Sequence, residues 1–246
     1  VGSEMCIRDR SVSIDPEGRV HTCCAAVPGE WHIMGVTQAA GLSLKWFRDN
    51  FCGAEKDTAA LMDVDEYYLM DKEAETVPIG AERLLYLPYL MGERTPHLDP
   101  DARGVFFGLS AMHTKKHMLR AVMEGVAYSL RDCVEVFREM GINVSDMMAC
   151  GGGGTSPLWR SMLADLYGCE VKTPASKEGP ALGAALLASV GAGIYGSVPE
   201  AVKAVVRTDK VCQPDSSRME RYDEFYSLYR DIYPALKDSF SRLATL

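Results

Sequence analysis

One short segment constrains the fold of this chain more than any other. An apolar stretch, Met148-Ala149-Cys150, runs into four consecutive glycines, Gly151 to Gly154, and then into Thr155-Ser156-Pro157-Leu158-Trp159. Serine is a favoured N-cap, and proline suits the first helical position because its missing N–H would be unpaired there. The segment therefore reads as strand, glycine turn, helix. Glycines let a backbone approach a flat or phosphorylated ligand with no Cβ in the way, and a helix start favours an anion. Two familiar phosphate loops fail on inspection. GxGxxG begun at Gly151 or Gly152 would need glycine where Ser156 or Pro157 stands, and no GxxxxGK[ST] occurs. Four glycines after a strand thus leave a tight structural turn and a ligand site equally open.

The flanking patterns alternate in the same way. Short strands are expected at Ser11–Ile14 and Arg19–Val27, on either side of a turn at Asp15–Gly18. Helices are expected at about Thr37–Asn50 and Asp57–Met70, and buried strands at Arg83–Leu90 and Arg103–Leu109. The clearest helix spans about Thr114 to Met140. Met118, Leu119, Val122, Val126, Leu130, Val134 and Phe137 recur there at three- and four-residue steps, and Gly141 suits its stop. Strands at Asp146–Cys150 and Cys169–Thr173 bracket the helix that opens at Ser156-Pro157. A small-residue helix follows at about Gly179–Val190. A long amphipathic helix covers Asp215–Leu243, with Tyr222, Phe225, Tyr229, Ile232, Leu236 and Phe240 on one face and a kink expected at Pro234. Alternating strands and helices argue for an α/β layered domain. The first ten residues, VGSEMCIRDR, carry no apolar period and read as a disordered or non-native lead.

Charge narrows the partners. A net charge of −8 repels nucleic-acid backbones and anionic lipid, which argues against both as partners. No apolar run approaches the length of a membrane span. The eight cysteines are scattered and form no CxxC pair, so they read as buried free thiols of a reducing cytoplasm rather than as metal ligands or disulfides.

Several segments, taken in order, resemble the FGGY family of carbohydrate kinases. Gly104-Val105-Phe106-Phe107-Gly108-Leu109, followed by His117-Met118, Ala121-Val122-Met123 and Glu124, is similar to the family's second signature. Leu87-Pro88-Tyr89-Leu90-Met91-Gly92-Glu93-Arg94-Thr95-Pro96-His97 resembles the loop of its xylulokinase branch. Trp31 to Val36, leading into Gly41-Leu42-Ser43-Leu44-Lys45-Trp46-Phe47, resembles the start of the C-terminal domain. Gly152 to Trp159 is similar to the adenosine-binding loop, and Leu182-Gly183-Ala184-Ala185 to the helix after it.

The resemblance implies an actin/hexokinase-like (ribonuclease H-like) α/β fold, of which this chain would be the C-terminal, nucleotide-binding domain. Residues 11–30 would be remnant strands at the domain junction, and 31–246 the domain itself. It implies ATP and Mg²⁺ as cofactors and a small sugar as substrate, D-xylulose phosphorylated at its 5-hydroxyl, with glycerol, gluconate or ribulose as alternatives. Gly41 and Lys45 are implied to line the nucleotide pocket from the first helix. Gly152, Gly153 and Ser156 are implied to contact adenosine or its phosphates; glycerol kinases carry asparagine where Ser156 stands. Family members are often dimers, so a homodimer is among the expectations.

The family's general-base aspartate, its Gly-Thr/Ser-Gly loop and its metal-associated aspartate match nothing in this sequence. Phosphoryl transfer needs a positioned hydroxyl, a base and charge stabilisation, so no catalytic residue is expected here and little turnover from this chain alone. A free-standing nucleotide- or partner-binding domain without catalysis is the rival reading. Its exposed face should be polar, whereas half of a kinase should expose an apolar patch.

Other candidates read more plainly as structure. His113 and His117 have metal-ligand spacing but no accompanying carboxylate, and read as a solvated helix end. Glu124 reads as structural support. Glu93 and Arg94 are either a surface pair or groups facing a cleft. Lys45 alone would be a snorkelling surface lysine.

Overall fold

The computed structural model describes residues 3–9, 11–176 and 178–246. Its spine is α4 (Lys115–Glu139), the helix with the clearest apolar period. Leu119, Val122, Val126, Val134 and Phe137 are all buried along it. The helix starts at Thr114, whose N–H donates to the His117 imidazole Nδ1 at 3.0 Å. His113 is used in the same way, its Nδ1 accepting from Ser110 N at 2.9 Å. The two histidines therefore cap the helix start and its approach loop.

Among the described residues, three small sheets surround this spine. In the first, β3 (Trp31–Thr37) lies between β1 (Ser3–Asp9) and β2 (His21–Cys24), antiparallel to both. The second pairs β4 (Leu85–Leu87) with β5 (Val105–Phe107). In the third, β6 (Asp146–Met148) runs parallel to β7 (Glu170–Pro174), which pairs antiparallel with β8 (Thr208–Cys212). α1 (Ala40–Phe51), α3 (Glu66–Glu75), α6 (Pro157–Tyr167), β3 and β4 all pack against α4. At the crossing with β4 only glycine fits, since a Cβ on Gly125 would lie 2.1 Å from the Tyr86 carbonyl oxygen.

α9 (Ser216–Leu243) closes the opposite side of the core and continues as helix through Pro234. Its tyrosines seat their polar ends on partners. Tyr226 donates to Asp132 at 2.6 Å and Tyr233 to Asp99 at 2.7 Å, while Tyr229 meets Tyr89 at 3.1 Å. These three hydroxyls stay partnered while their rings fill the core.

The structure corrects several expectations. The leading segment is not without structure among the described residues: Ser3–Asp9 pairs residue by residue with β3, and Met5 is buried. Backbone pairing to an available edge supplied an order that composition did not suggest. Residues 11–14 form no strand, and Val12 and Ile14 are exposed. Instead Arg19 closes the turn onto Asp15 and reaches Glu139 at the end of α4. The segment expected as one helix over 57–70 is two. Asp63 takes a left-handed conformation (φ 54°) that ends α2 (Gly53–Met62), and Asp65 caps α3 by accepting from Tyr67 N at 2.7 Å. Positive φ angles at Ala81, Glu82 and Arg83 delay β4 to Leu85. Beyond α7 (Gly179–Gly191), α8 (Val198–Val205) and β8 carry no expectation from the sequence. Burial of the thiols holds for Cys52, Cys133 and Cys169, whereas Cys6, Cys23, Cys24 and Cys150 are exposed.

Candidate functional site

The glycine turn is built from β6 outward. Ala149 N donates to Lys172 O at 2.8 Å, which prolongs the strand pairing by one residue. Gly151 then turns at φ 75°, a conformation that side chains rarely adopt. The next residues coil into α5 (Gly152–Thr155), and Ser156 opens α6 with its hydroxyl accepting from Trp159 N at 3.0 Å. Pro157 follows at the first helical position, as the local signals required.

The glycines differ in what they face. A Cβ on Gly154 would strike the Ala149 carbonyl oxygen at 2.5 Å, so that glycine is demanded by the turn itself. Gly153 faces the Trp159 ring at ordinary contact distance. Gly152 is exposed, and a Cβ there would meet nothing within 4 Å. Two glycines of one run thus have opposite reasons: Gly154 closes the turn, and Gly152 leaves an open surface.

α3 reaches this junction through Asp71. Burial raises the pKa of its carboxyl, and a hydrogen bond with the Ser156 side chain pulls the other way. Nothing in the sequence singles out Asp71, which sits among other charged residues of a helix with no motif. Arg160 is equally silent in sequence. It is buried in α6, and its Nη1 donates to Gly154 O at 2.6 Å and Thr155 O at 2.8 Å.

Gly41 and Lys45 lie one turn apart and exposed on α1, with Ser43 and Leu44 buried between them. Lys45 acts electrostatically on Asp49 of the same helix. Among the described residues no hydrogen bond or ion pair joins Lys45 to the glycine turn. The two groups of candidates are related through α4, against which both α1 and α6 pack.

Glu93 faces neither solvent nor a cleft. It is buried, its carboxylate accepting from Gln38 N at 2.9 Å, Arg94 N at 2.7 Å and Ser129 Oγ at 3.2 Å. It ties the β3–α1 junction to α4, and burial pushes its carboxyl up to about 7. Two concavities lie elsewhere. One of about 150 Å³ sits between α4, α9 and the loop carrying His97, and a shallower one is lined by Ser13, Asp15 and Arg19. Neither includes the glycine turn.

The layered domain thus carries an open glycine turn between a strand and a capped helix. Residues 3–192 match the C-terminal domain of the FGGY family of carbohydrate kinases. The chain belongs to that family, and its fold is the actin/hexokinase-like C-terminal domain of such kinases. It is 38% identical over 224 residues to a xylulose kinase of Bacillus subtilis (strain 168), covering 91% of this chain and 43% of the relative. It is 36% identical over 231 residues to a gluconokinase of Bacillus licheniformis, covering 94% of this chain and 45% of the relative. The crystal structure of xylulose kinase from Rhodospirillum rubrum superposes with a TM-score of 0.84 at 31% identity, over 98% of this chain and 46% of that one. The chain spans about half the length of the curated relatives it matches.

Proposed function

We propose that this chain is the ATP-binding half of a cytoplasmic sugar kinase that transfers the γ-phosphate of ATP to the 5-hydroxyl of D-xylulose. The single observation that carries the nucleotide assignment is the contrast between Gly154, whose Cβ the turn excludes, and Gly152, which opens onto free space. In this reading residues 31–246 form the nucleotide-binding domain. Gly152 and Gly153 lie against adenosine or its phosphates, with Ser156 at the end of the loop. Gly41 and Lys45 contribute from α1, where an exposed ammonium suits a phosphate.

Catalysis is shared with residues outside this sequence. Phosphoryl transfer is mostly positioning and charge stabilisation, and this chain's part is to hold and orient the nucleotide. Mg²⁺ would supply charge neutralisation on the phosphates. By the resemblance, the aspartate associated with the ion belongs to the other half of such a kinase. The chain alone is therefore expected to bind ATP and to turn over little. D-xylulose is favoured by the Leu87–His97 loop. Gluconate stays in view because a gluconokinase is a relative at comparable identity, and glycerol and ribulose are the further alternatives.

The test is calorimetric titration of ATP into wild type and a Gly152→Asp variant. The open space predicts that the variant folds normally, while its carboxylate repels the phosphates. Saturable binding by wild type and loss in the variant support the assignment; absence of binding in both refutes it. Supplying the N-terminal half of a relative and screening D-xylulose, gluconate, glycerol and ribulose then tests the substrate.

A further inference from the structure

We infer that Arg160 is a positioning residue of the nucleotide loop, holding the glycine turn in the shape that presents Gly152 and Ser156 to the ligand. The inference rests on the reading of that turn as the adenosine-binding loop. α5 has little reason to keep a shape of its own. It is four residues long, three of them glycines, and glycine is among the poorest helix formers in a segment far too short to nucleate. The carbonyls at its end have no partner within the helix. Arg160 supplies one from the first turn of α6, its Nη1 donating to Gly154 O at 2.6 Å and to Thr155 O at 2.8 Å.

The geometry passes directly into the site. Each peptide unit is planar, so the Gly154 carbonyl fixes the direction of the Thr155 N–H, and the Thr155 carbonyl fixes that of Ser156. Ser156 is the residue whose hydroxyl caps α6. The far side of the turn is braced as well, because Gly154 lies against the Ala149 carbonyl. One guanidinium nitrogen thus sets the two peptide planes between the open glycines and the capping serine.

The charge economy of the core points the same way. A buried cation normally sits on a carboxylate, as Arg120 does on Glu124. Arg160 is 5% exposed. Among the described residues it has no carboxylate within ion-pair distance, and its buried Nε has no acceptor. Its hydrogen bonds go to the turn alone. The planar fork delivers two N–H bonds from one nitrogen in fixed directions, which a lysine ammonium on a flexible stem does not reproduce.

The experiment compares wild type with Arg160→Lys and Arg160→Gln. Lysine keeps the cation and most of the stem, so at least one variant retains the fold. Amide hydrogen exchange without nucleotide is read at residues 151–156 and along α4, and ATP affinity is read by calorimetry. Exchange at the turn should rise about tenfold in both variants while α4 stays protected, and ATP affinity should fall about tenfold. A role confined to general stability would instead raise exchange in α4 as well and would overturn the inference, as would an unchanged turn. Wild type that binds ATP alongside variants that bind it equally well overturns the positioning role. Wild type that fails to bind ATP while the turn loosens in the variants overturns the nucleotide reading and leaves the clamp established.

Discussion

Arg120 and Glu124, one turn apart on α4, form an ion pair at 2.7 Å with their side chains 6% and 1% exposed. The pair is completed from three directions. Gly80 N donates to the Glu124 carboxylate at 3.0 Å, and Arg120 donates to the Tyr222 hydroxyl at 2.9 Å and to Ala74 O at 3.4 Å. Burial raises the pKa of the Glu124 carboxyl and Arg120 opposes that rise. The glutamate at the end of the family-like signature is thus a strut between α4, α3, α9 and the turn before β4, in agreement with its reading as structural support.

Glu124→Ala should be severe, because it strands the guanidinium in the core. Loss of one partner of a buried pair costs about 3–5 kcal/mol, whereas replacing both by apolar residues is often close to neutral. Urea unfolding of Glu124→Ala, Arg120→Met and the double variant Arg120→Met/Glu124→Leu measures this. A double variant as damaged as Glu124→Ala would refute the account.

Two glycines should respond oppositely to one added methyl group. Gly125→Ala places a Cβ 2.1 Å from the Tyr86 carbonyl oxygen. It must push α4 off β4, at about 1–3 kcal/mol or more. Gly152→Ala meets open space and should leave the melting temperature nearly unchanged. Thermal melts of the two variants side by side decide the matter.

The pH dependence carries opposing contributions from the α4–α9 interface. Burial pushes the Asp132 carboxyl up to about 7, with Tyr226 and Arg230 opposing. The folded chain then holds a proton that the unfolded chain releases near 3.8, so this contribution is full at low pH and is lost as pH rises towards 7. Asp132→Asn removes that loss, and its melting temperature should gain on wild type as pH is raised from 5 to 8.

His97 works in the other direction. Burial lowers its pKa to about 4, and the ring stacks on Tyr233 at 3.7 Å. Between 6.5 and 4 the unfolded chain takes up a proton that the folded chain refuses, so this stability is present above 6.5 and is lost on acidification. His97→Phe keeps the stacking and should melt with less acid sensitivity in that window. A variant as acid-sensitive as wild type would count against it.

Self-association should map to the α7–β8 region. α7 is apolar along most of its length yet buries only Leu186, and Leu187, Ile194, Val202, Val205 and Val211 are exposed nearby, Ile194 at 70%. Clustered exposed apolar surface favours pairing or aggregation. Sedimentation velocity should show association in wild type and a shift towards monomer in Leu187→Ser/Ile194→Ser.

What the sequence determined by itself was local. The period of α4, the Ser-Pro start of α6, the strand before the glycine run and the family to which the chain belongs were all legible there. Helix periodicity, caps and turns depend on residues within a few positions of one another. Tertiary structure decided the rest. It split the expected 57–70 helix at Asp63, paired Ser3–Asp9 with β3, buried Glu93 between Gln38 and Ser129, and brought Asp71 to Ser156 across 85 residues. Even Arg160, four residues from Ser156, could not be read as a clamp, because the direction of its guanidinium depends on which face of α6 the core covers. A charged residue looks alike in a sequence whether it meets water or a carbonyl, and only packing removes the water.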